Sequence, residues 1–294
     1  MPSPVGRNPV KPVKTASPAL QQPAIQRGNQ NLPQQRGANQ RVKSSGAPRQ
    51  TRSQADFKTQ ARQQLNQSNR ARTRPAAQGN LLQQNFRNSY SNLRQSNSKH
   101  ANHVRDNLRN RRPTYNNYFN DYFFNRYDYQ PTWYTSGYDT WGESNWNNIN
   151  SWVDSGWSTP LYYDDVGVVT EVPVEYVTGV SVLPSTQGNW LPLGVFAASQ
   201  NVQDAAFTNM FVQIVVDKTG ILSGTYYNAA TDQIHPLDGF LDMESQQAVW
   251  RVSDNLNSPV MTAGIYNLTQ DIAEVKVRYS NGNEQYWTFV RLTQ

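Results

Sequence analysis

The residue types that most often carry catalysis or bind metal ions are scarce in this chain of 294 residues. It has no cysteine and three histidines, His100, His103 and His235. His100 and His103 stand at helical spacing and could share one face, but Asp106 is the one carboxylate near them in sequence. Two histidines and one aspartate on one mobile helix are a weak signal for a zinc site. We therefore expect no metal site and no cofactor.

His235 falls in a predicted strand, in which Asp238, three positions later, would point to the opposite face. With no nucleophile motif around it, we expect the His235 side chain to be exposed to solvent. The sequence contains no glycine-rich phosphate loop, nucleophile elbow or paired-carboxylate signature. These observations predict a protein without enzymatic activity.

Five aromatic residues of the C-terminal third are the best candidates for contact with a small molecule. They are Trp190, Tyr226, Tyr227, Trp250 and Trp287. Aromatic rings offer apolar area and π contacts, and rings of this kind line many ligand pockets. The same residues could also fill the interior of a folded domain, which is the commoner use of such rings. The sequence leaves both interpretations open, a ligand pocket and a core.

The distribution of charge along the chain predicts a third kind of interaction, an electrostatic one. Residues 1–112 contain 21 Lys or Arg and two acidic residues, a net charge of +19, whereas residues 113–294 contain six basic and 19 acidic residues, a net charge of −13. A basic segment of this density predicts contact with an anionic polymer or a cell-surface component, with non-specific binding to nucleic-acid phosphates as the alternative. The candidate contacts are Arg70, Arg72, Arg74, Arg105, Arg109, Arg111 and Arg112.

The segment that carries this charge has a composition typical of disorder. Residues 1–112 include 31 Gln or Asn and nine Pro, too polar a mixture to bury a core. Two weak helical patterns occur within it, at 53–72 and at 80–111. In the second, apolar residues recur at intervals of three or four: Leu82, Phe86, Tyr90, Leu93, Val104 and Leu108. The narrow stripe predicts a marginal helix that docks weakly or not at all, with a self-associating coiled coil as the alternative.

Residues 113–187 form an aromatic-rich acidic linker. They hold 18 aromatic residues in 75 positions, and nine acidic residues with Arg126 as the one base. We expect these rings to anchor short turns and helices against the C-terminal domain or a neighbouring subunit. Stacking on sugar rings is the alternative use of such a composition.

Residues 188–294 alternate between short apolar runs and turn residues, the pattern of an antiparallel meander. Gly220 and the pair Asn281-Gly282 mark two hairpins, the second with the dipeptide favoured by type I′ turns. The sequence predicts an all-β domain of about eight strands that closes into a small up-and-down barrel of the avidin or lipocalin kind. The expected strands are 190–198, 209–217, 221–228, 233–242, 246–253, 260–267, 273–279 and 284–292.

The period of two within these strands also assigns their faces. Ala248, Trp250 and Val252 share one side of their strand, and Arg251 points the other way. The same rule puts Ala273, Val275, Val277 and Tyr279 on one side of a later strand, with Lys276 and Arg278 opposite. We take the apolar side to be the barrel interior.

Several short motifs give this domain a family resemblance. They include Trp190-Leu-Pro-Leu-Gly-Val-Phe196, Gly224-Thr-Tyr-Tyr-Asn228, Gly264-Ile-Tyr-Asn-Leu-Thr-Gln270 and Trp287-Thr-Phe-Val-Arg-Leu292. With Leu161-Tyr-Tyr-Asp-Asp165 upstream, residues 130–294 resemble the mu-protocadherin-like cell-surface proteins of planctomycetes. The resemblance implies a bacterial envelope or surface setting and brings no activity, cofactor or catalytic residue. A fainter similarity of Gly188-Asn-Trp190 and 217–226 to avidin-like barrels concerns the fold alone.

These observations together predict a non-catalytic bacterial cell-envelope or surface-associated protein. Its basic arm would contact anionic polymers, and its β domain would serve as a structural or binding module. A nucleic-acid-associated protein and a small-ligand-binding barrel are the alternatives. The sequence shows no signal peptide and no stretch of 18 apolar residues, so it predicts no membrane span, and a cytoplasmic location stays open. It does not fix the oligomeric state.

Overall fold

Eight antiparallel strands between residues 190 and 291 close into a barrel in the computed structural model of the protein. The structure describes residues 49–70, 76–112, 118–131, 133–134, 144–164, 169–172, 177, 189–255 and 257–292. A short hairpin, β1 (Leu161–Tyr163) and β2 (Val169–Glu171), precedes the barrel. The barrel strands are β3 (Trp190–Ser199), β4 (Met210–Asp217), β5 (Ile221–Asn228), β6 (Gln233–Asp242), β7 (Gln247–Val252), β8 (Val260–Gly264), β9 (Ile272–Arg278) and β10 (Glu284–Arg291).

Each barrel strand pairs with its sequence neighbours, and β10 pairs with β3 to close the sheet. This confirms the predicted up-and-down barrel, and seven of the eight predicted strands match to within one residue at each end. The exception is β8, which ends at Gly264 rather than at residue 267, because Asn267–Thr269 form a 3-10 turn. There the Asn267 side chain donates to the Tyr163 carbonyl and accepts from the Tyr163 amide, which holds the chain out of the sheet.

Two hairpin turns lie at the predicted glycines. Gly220 and Gly282 both have positive φ, +80° and +86°, a conformation that glycine adopts without steric cost. The expected type I′ turn at Asn281-Gly282 is wrong, since Asn281 does not have positive φ. Instead the Gly282 amide donates to the Tyr279 carbonyl at 2.9 Å, and the Asn281 side chain accepts from the Asn283 amide at 3.0 Å. The result is an ordinary turn followed by a left-handed glycine.

The predicted faces of the sheet are confirmed. Ala248 and Trp250 lie in the interior cluster with Val275 and Val277. Arg251 lies on the outside, where it pairs with Asp238 at 3.2 Å. Apolar side chains therefore fill the middle of the barrel, as in other small barrels.

One end of the barrel is filled by residues 144–164, which we call the plug. Its helix α4 (Trp146–Trp152) inserts Trp146, Ile149 and Trp152 into the interior cluster. The Trp152 indole donates to the Val216 carbonyl at 3.1 Å, and the Trp157 indole donates to the Met243 carbonyl at 2.7 Å. The plug aromatics are therefore anchored to strand ends and turns, as expected for this acidic segment.

The outer face of β3, β4 and β10 is covered by helix α2 (Ala76–Arg111) and by the aromatic segment 118–134, which includes helix α3 (Asp121–Arg126). Ala101, Val104 and Leu108 of α2 are buried to 2% exposure or less. The predicted helix is thus present, but it docks closely rather than weakly. Leu93 of the predicted stripe is 39% exposed, and the side chains of Leu82 and Phe86 lie outside the described residues.

Helix α1 (Arg49–Arg70) covers β6 and β7 in the same way. Phe57, Ala61 and Leu65 are buried, and Phe57 packs edge-on against Phe240 with ring centroids 6.0 Å apart. Among the described residues, none of these helices is long and apolar enough to cross a membrane. Residues 1–48 of the predicted basic arm lie outside the described part of the chain.

Candidate functional site

The end of the barrel opposite the plug contains a cavity of about 310 Å³, which we call the cup. It lies where β3, β5, β7 and β9 end and β4, β6, β8 and β10 begin. Its lining is mainly apolar, with a few polar groups: Ala198, Met210, Val212, Tyr226, His235, Leu237, Val252, Asp254, Asn255, Ser258, Pro259, Met261, Val277, Tyr279, Trp287 and Phe289. This volume is at the lower end of the range for small-molecule sites.

The base of the cup rests on Trp250. Phe289 lines the cup and lies edge-on to the Trp250 ring, with centroids 6.0 Å apart. Trp250 is 1% exposed, and its indole nitrogen has no hydrogen-bond partner among the described residues. Gly239 of the neighbouring strand leaves room for it, since a Cβ at Gly239 would lie 2.8 Å from the Trp250 Cβ.

The polar side of the cup is formed by His235 and Asp254. His235 Nδ1 lies 2.9 Å from Asp254 Oδ2, and the His235 ring stacks on Tyr226 with centroids 6.0 Å apart. An ionised carboxylate can only accept, so Nδ1 carries the proton in this pair and Nε2 remains for another partner. The sequence predicts a His235 side chain that is exposed to solvent. In the structure it lies on the interior face of β6, where it lines the cup and is one-third exposed.

Two further aromatic residues at the cup are fixed by one glutamine. The Tyr279 hydroxyl donates to Gln285 Oε1 at 2.9 Å, and the Trp287 indole donates to the same oxygen at 3.2 Å. Burial raises the pKa of the Tyr226 hydroxyl, so that group also stays neutral at physiological pH. The cup therefore presents rings held in place and, apart from His235 and Asp254, no charged lining residue.

The five aromatic residues considered for a pocket separate into two groups. Trp250, Tyr226 and Trp287 meet at the cup or beneath it, whereas Trp190 and Tyr227 pack on the outside of the barrel. Tyr226 and Tyr227 are adjacent on one strand and must point to opposite faces. The hydroxyl of Tyr227 donates to Asp232 at 2.8 Å, as part of an outer tyrosine cluster.

The arginines predicted to contact polyanions also differ in their surroundings. Arg105 is 4% exposed, whereas Arg109 is exposed beside Asp106, at 3.1 Å. Arg111 donates to the Ala206 carbonyl at 2.9 Å, and Arg112 hydrogen-bonds to the Asn209 side chain. Arg72, Arg74 and the Arg70 side chain lie outside the described residues.

Arg105 has a structural role that its sequence position does not reveal. Its Nε donates to the Arg291 carbonyl at 2.9 Å, and its guanidinium contacts the Asp271 carboxylate at 2.5 Å. These bonds tie α2 to the last strand and to the 265–271 connection. A buried guanidinium with two such partners is not available to a polymer in solution.

We expect Arg105→Ala to lower the free energy of unfolding by about 2 kcal/mol, because the Arg291 carbonyl would lose its partner and Asp271 its counter-ion. Arg109→Ala should change it by less than about 0.5 kcal/mol, since exposed ion pairs contribute little. Urea denaturation followed by circular dichroism measures both. Equal losses in the two variants would contradict the role given to Arg105.

The sequence-based prediction selected aromatic residues and did not identify the interior residues at one end of the barrel as a group. His235 shares a face of β6 with Leu237, two positions later, and this period of two is the signal that places it inside. Among the described residues, no group of three or more His, Cys, Asp or Glu could hold a metal ion. The cup offers a ligand apolar contacts and one imidazole.

The chain was compared with protein-family models, with curated proteins and with solved structures, and none of the three comparisons gives a match. The resemblance to mu-protocadherin-like proteins therefore stays a prediction.

Proposed function

We propose that this protein is a non-catalytic binding protein in which the barrel holds a small, mainly apolar ligand in the cup. The observation that carries the proposal is the difference between the two ends of the barrel. The plug fills one end with its own tryptophans, whereas a cavity of about 310 Å³ lined by side chains opens at the other. A barrel that served only as a structural support would have no need of such a cavity.

The lining indicates the class of ligand. Met210, Val212, Val252 and Met261 supply flexible and branched apolar surface, which favours an aromatic or aliphatic body. His235 Nε2 supplies one directional hydrogen bond. The Asp254 carboxylate beside it disfavours an anionic ligand, so we expect a neutral or cationic molecule.

The proposal predicts that N-phenyl-1-naphthylamine, a neutral fluorescent probe, binds the full chain at one site with a rise in its emission. Met261→Trp should weaken this binding by at least about tenfold, because the larger ring would occupy the cup and displace apolar contacts. The measurement is a fluorescence titration of the probe with each protein.

Phe207→Trp is the matched control, since it places the same new side chain at a position that is 61% exposed and outside the cup. It should leave the probe affinity unchanged. Probe binding that is equally strong in Met261→Trp and in the parent chain, or that is lost in the control, would contradict the cup as the binding site. Thermal denaturation of both variants checks that they remain folded.

A second function rests on charge. The net charge of +19 within residues 1–112 supports contact with anionic polymers, and we place this activity beside ligand binding rather than in competition with it. A bacterial envelope or surface setting, where acidic polymers are abundant, fits both activities. Dedicated nucleic-acid binding is the alternative, and competition between DNA and an acidic polysaccharide separates the two.

A further inference from the structure

Three half-buried rings of the cup, those of Tyr226, Tyr279 and Trp287, have their polar atoms already bonded to neighbouring side chains. Gln285 Oε1 accepts from both the Tyr279 hydroxyl and the Trp287 indole, and the Tyr226 hydroxyl is hydrogen-bonded to the Asn228 side chain. Because these polar atoms are in use, the rings offer a ligand carbon surface and the negative potential of an aromatic face.

The charge of the cup is negative when the imidazole of His235 is neutral. Asp254 Oδ2 accepts from His235 Nδ1 at 2.9 Å, and Asp254 Oδ1 has no hydrogen bond or ion pair within the described part of the chain. The described lining residues include no Lys or Arg. A neutral imidazole leaves the charge of Asp254 uncompensated, so the cup carries one net negative charge.

Burial decreases from the base of the cup to its rim. Leu237, Val277 and Phe289 are buried at the base, and the three rings above them are half-buried. At the rim, 47% of the Asp254 side chain is exposed. A ligand that enters from solvent therefore meets the carboxylate first, then the aromatic faces and then apolar side chains.

This order of chemical groups suits an organic cation with a methylated nitrogen. Aromatic faces attract a cation through the ring quadrupole, more strongly when the cation loses water. A quaternary ammonium group has no N–H to donate, so it needs no acceptor in the cup, and its methyl groups make apolar contacts. Met210 and Met261 add polarisable sulfur atoms to those contacts. A neutral ligand of the same shape gains the apolar contacts without the attraction to the rings and to Asp254.

We propose that the cup is selective for small quaternary ammonium compounds, with the cationic head among Tyr226, Tyr279 and Trp287 and close to Asp254. The inference rests on the proposed function, because it names the class of ligand for that same cavity.

The test compares three small molecules that share a branched head and differ in charge: choline, 3,3-dimethylbutan-1-ol and 3,3-dimethylbutanoate. Each competes with N-phenyl-1-naphthylamine for the full chain at pH 8, where an imidazole is ordinarily neutral, and at low salt, which limits screening of the exposed carboxylate. Choline should displace the probe at a concentration at least about tenfold lower than the alcohol, which lacks the charge. The anion should require a higher concentration than either.

Variants identify the groups that select the cation. The readout is the ratio of the displacing concentrations of the alcohol and of choline, which a general loss of affinity does not change. Asp254→Asn and Trp287→Leu should each lower this ratio by at least about threefold, since one removes the carboxylate and the other an aromatic face. Glu244→Gln is the matched control. It removes an exposed negative charge from the β6–β7 turn, beside the plug at the other end of the barrel, and should leave the ratio unchanged.

The outcomes separate this inference from the proposed function. If the probe binds and the alcohol displaces it as readily as choline, or if Glu244→Gln lowers the ratio as much as Asp254→Asn, the selectivity for cations is wrong and the cup remains a site for neutral molecules. If the probe does not bind the parent chain, the proposed function and the inference both fail. Thermal denaturation of each variant checks that it is folded.

Discussion

Trp250→Ala is expected to lower the free energy of unfolding by about 3 to 5 kcal/mol, the range for truncating a large buried aromatic side chain. Trp250 is 1% exposed and lies within the interior cluster of the barrel. Its ring packs edge-on to Phe289, and Gly239 beside it has no side chain with which to fill the space that would be left. The cavity can close only if the sheet itself moves, so most of the loss should remain.

Trp250→Phe is the informative companion. It keeps an aromatic ring against Phe289 and removes the indole N–H that is buried without a partner, so the loss should fall below about 2 kcal/mol. Tyr122→Ala, at a position that is 55% exposed, should cost less than about 0.5 kcal/mol. Urea denaturation monitored in the far ultraviolet gives all three values. A loss under 1 kcal/mol for Trp250→Ala would show that the barrel repacks around position 250.

The barrel itself could be predicted because its signals are local. Period-two alternation in β7 and β9, and turn residues such as Gly220, depend on neighbours in sequence. In β3 the alternation does not predict which residues face the interior. A bulge between Pro192 and Gly194 changes the register, so that the interior residues are Leu191 before it, Leu193 within it and Phe196 after it. No alternation rule predicts where such an extra residue is inserted.

The cup could not be predicted, because it depends on contacts between residues that are distant in sequence. Contacts of the same kind join α2 to the barrel, where the hydroxyls of Tyr90 and Tyr266, 176 positions apart, lie 2.6 Å from each other. The cup exists because the plug enters the other end of the barrel, and nothing in the composition of residues 144–164 indicates which end they fill. The five aromatic residues proposed for a pocket therefore include residues on both faces of the sheet.

The close docking of α1 and α2 was missed for a related reason. Gln, Asn and Arg dominate the composition of residues 1–112. An average over this segment therefore does not reveal that three apolar residues of α2, Ala101, Val104 and Leu108, lie on one face. Helices this polar are stable mainly through the apolar surface that they bury against another element. Here the outer face of the barrel provides that surface, which no pattern within the helices could reveal.

Binding of the full chain to polyanions is expected to weaken by about a thousandfold or more between 50 mM and 200 mM salt, because neutralising six or more phosphates or carboxylates releases that many counterions. The charge for this lies in residues 1–112, with 21 basic residues against two acidic ones. Arg105 is excluded from the contact by its burial, so the exposed basic residues must provide it. Deletion of residues 1–48 removes seven basic and no acidic residues and should make the salt dependence clearly shallower.

The identity of the polymer follows from competition at about 150 mM salt, measured by fluorescence anisotropy. If the basic segment serves an envelope protein, double-stranded DNA and an acidic polysaccharide of matched length should bind within about tenfold of each other, since backbone contacts alone carry little discrimination. A preference for DNA or RNA above about a hundredfold would instead identify a dedicated nucleic-acid protein. Arg105→Ala should leave the salt dependence of binding unchanged. In the parent chain the Arg105 guanidinium is bound to Asp271 and to the Arg291 carbonyl, so it does not contact the polymer. An affinity that does not respond to salt would show that the basic segment does not bind the polymer, and would assign recognition to the folded part of the chain.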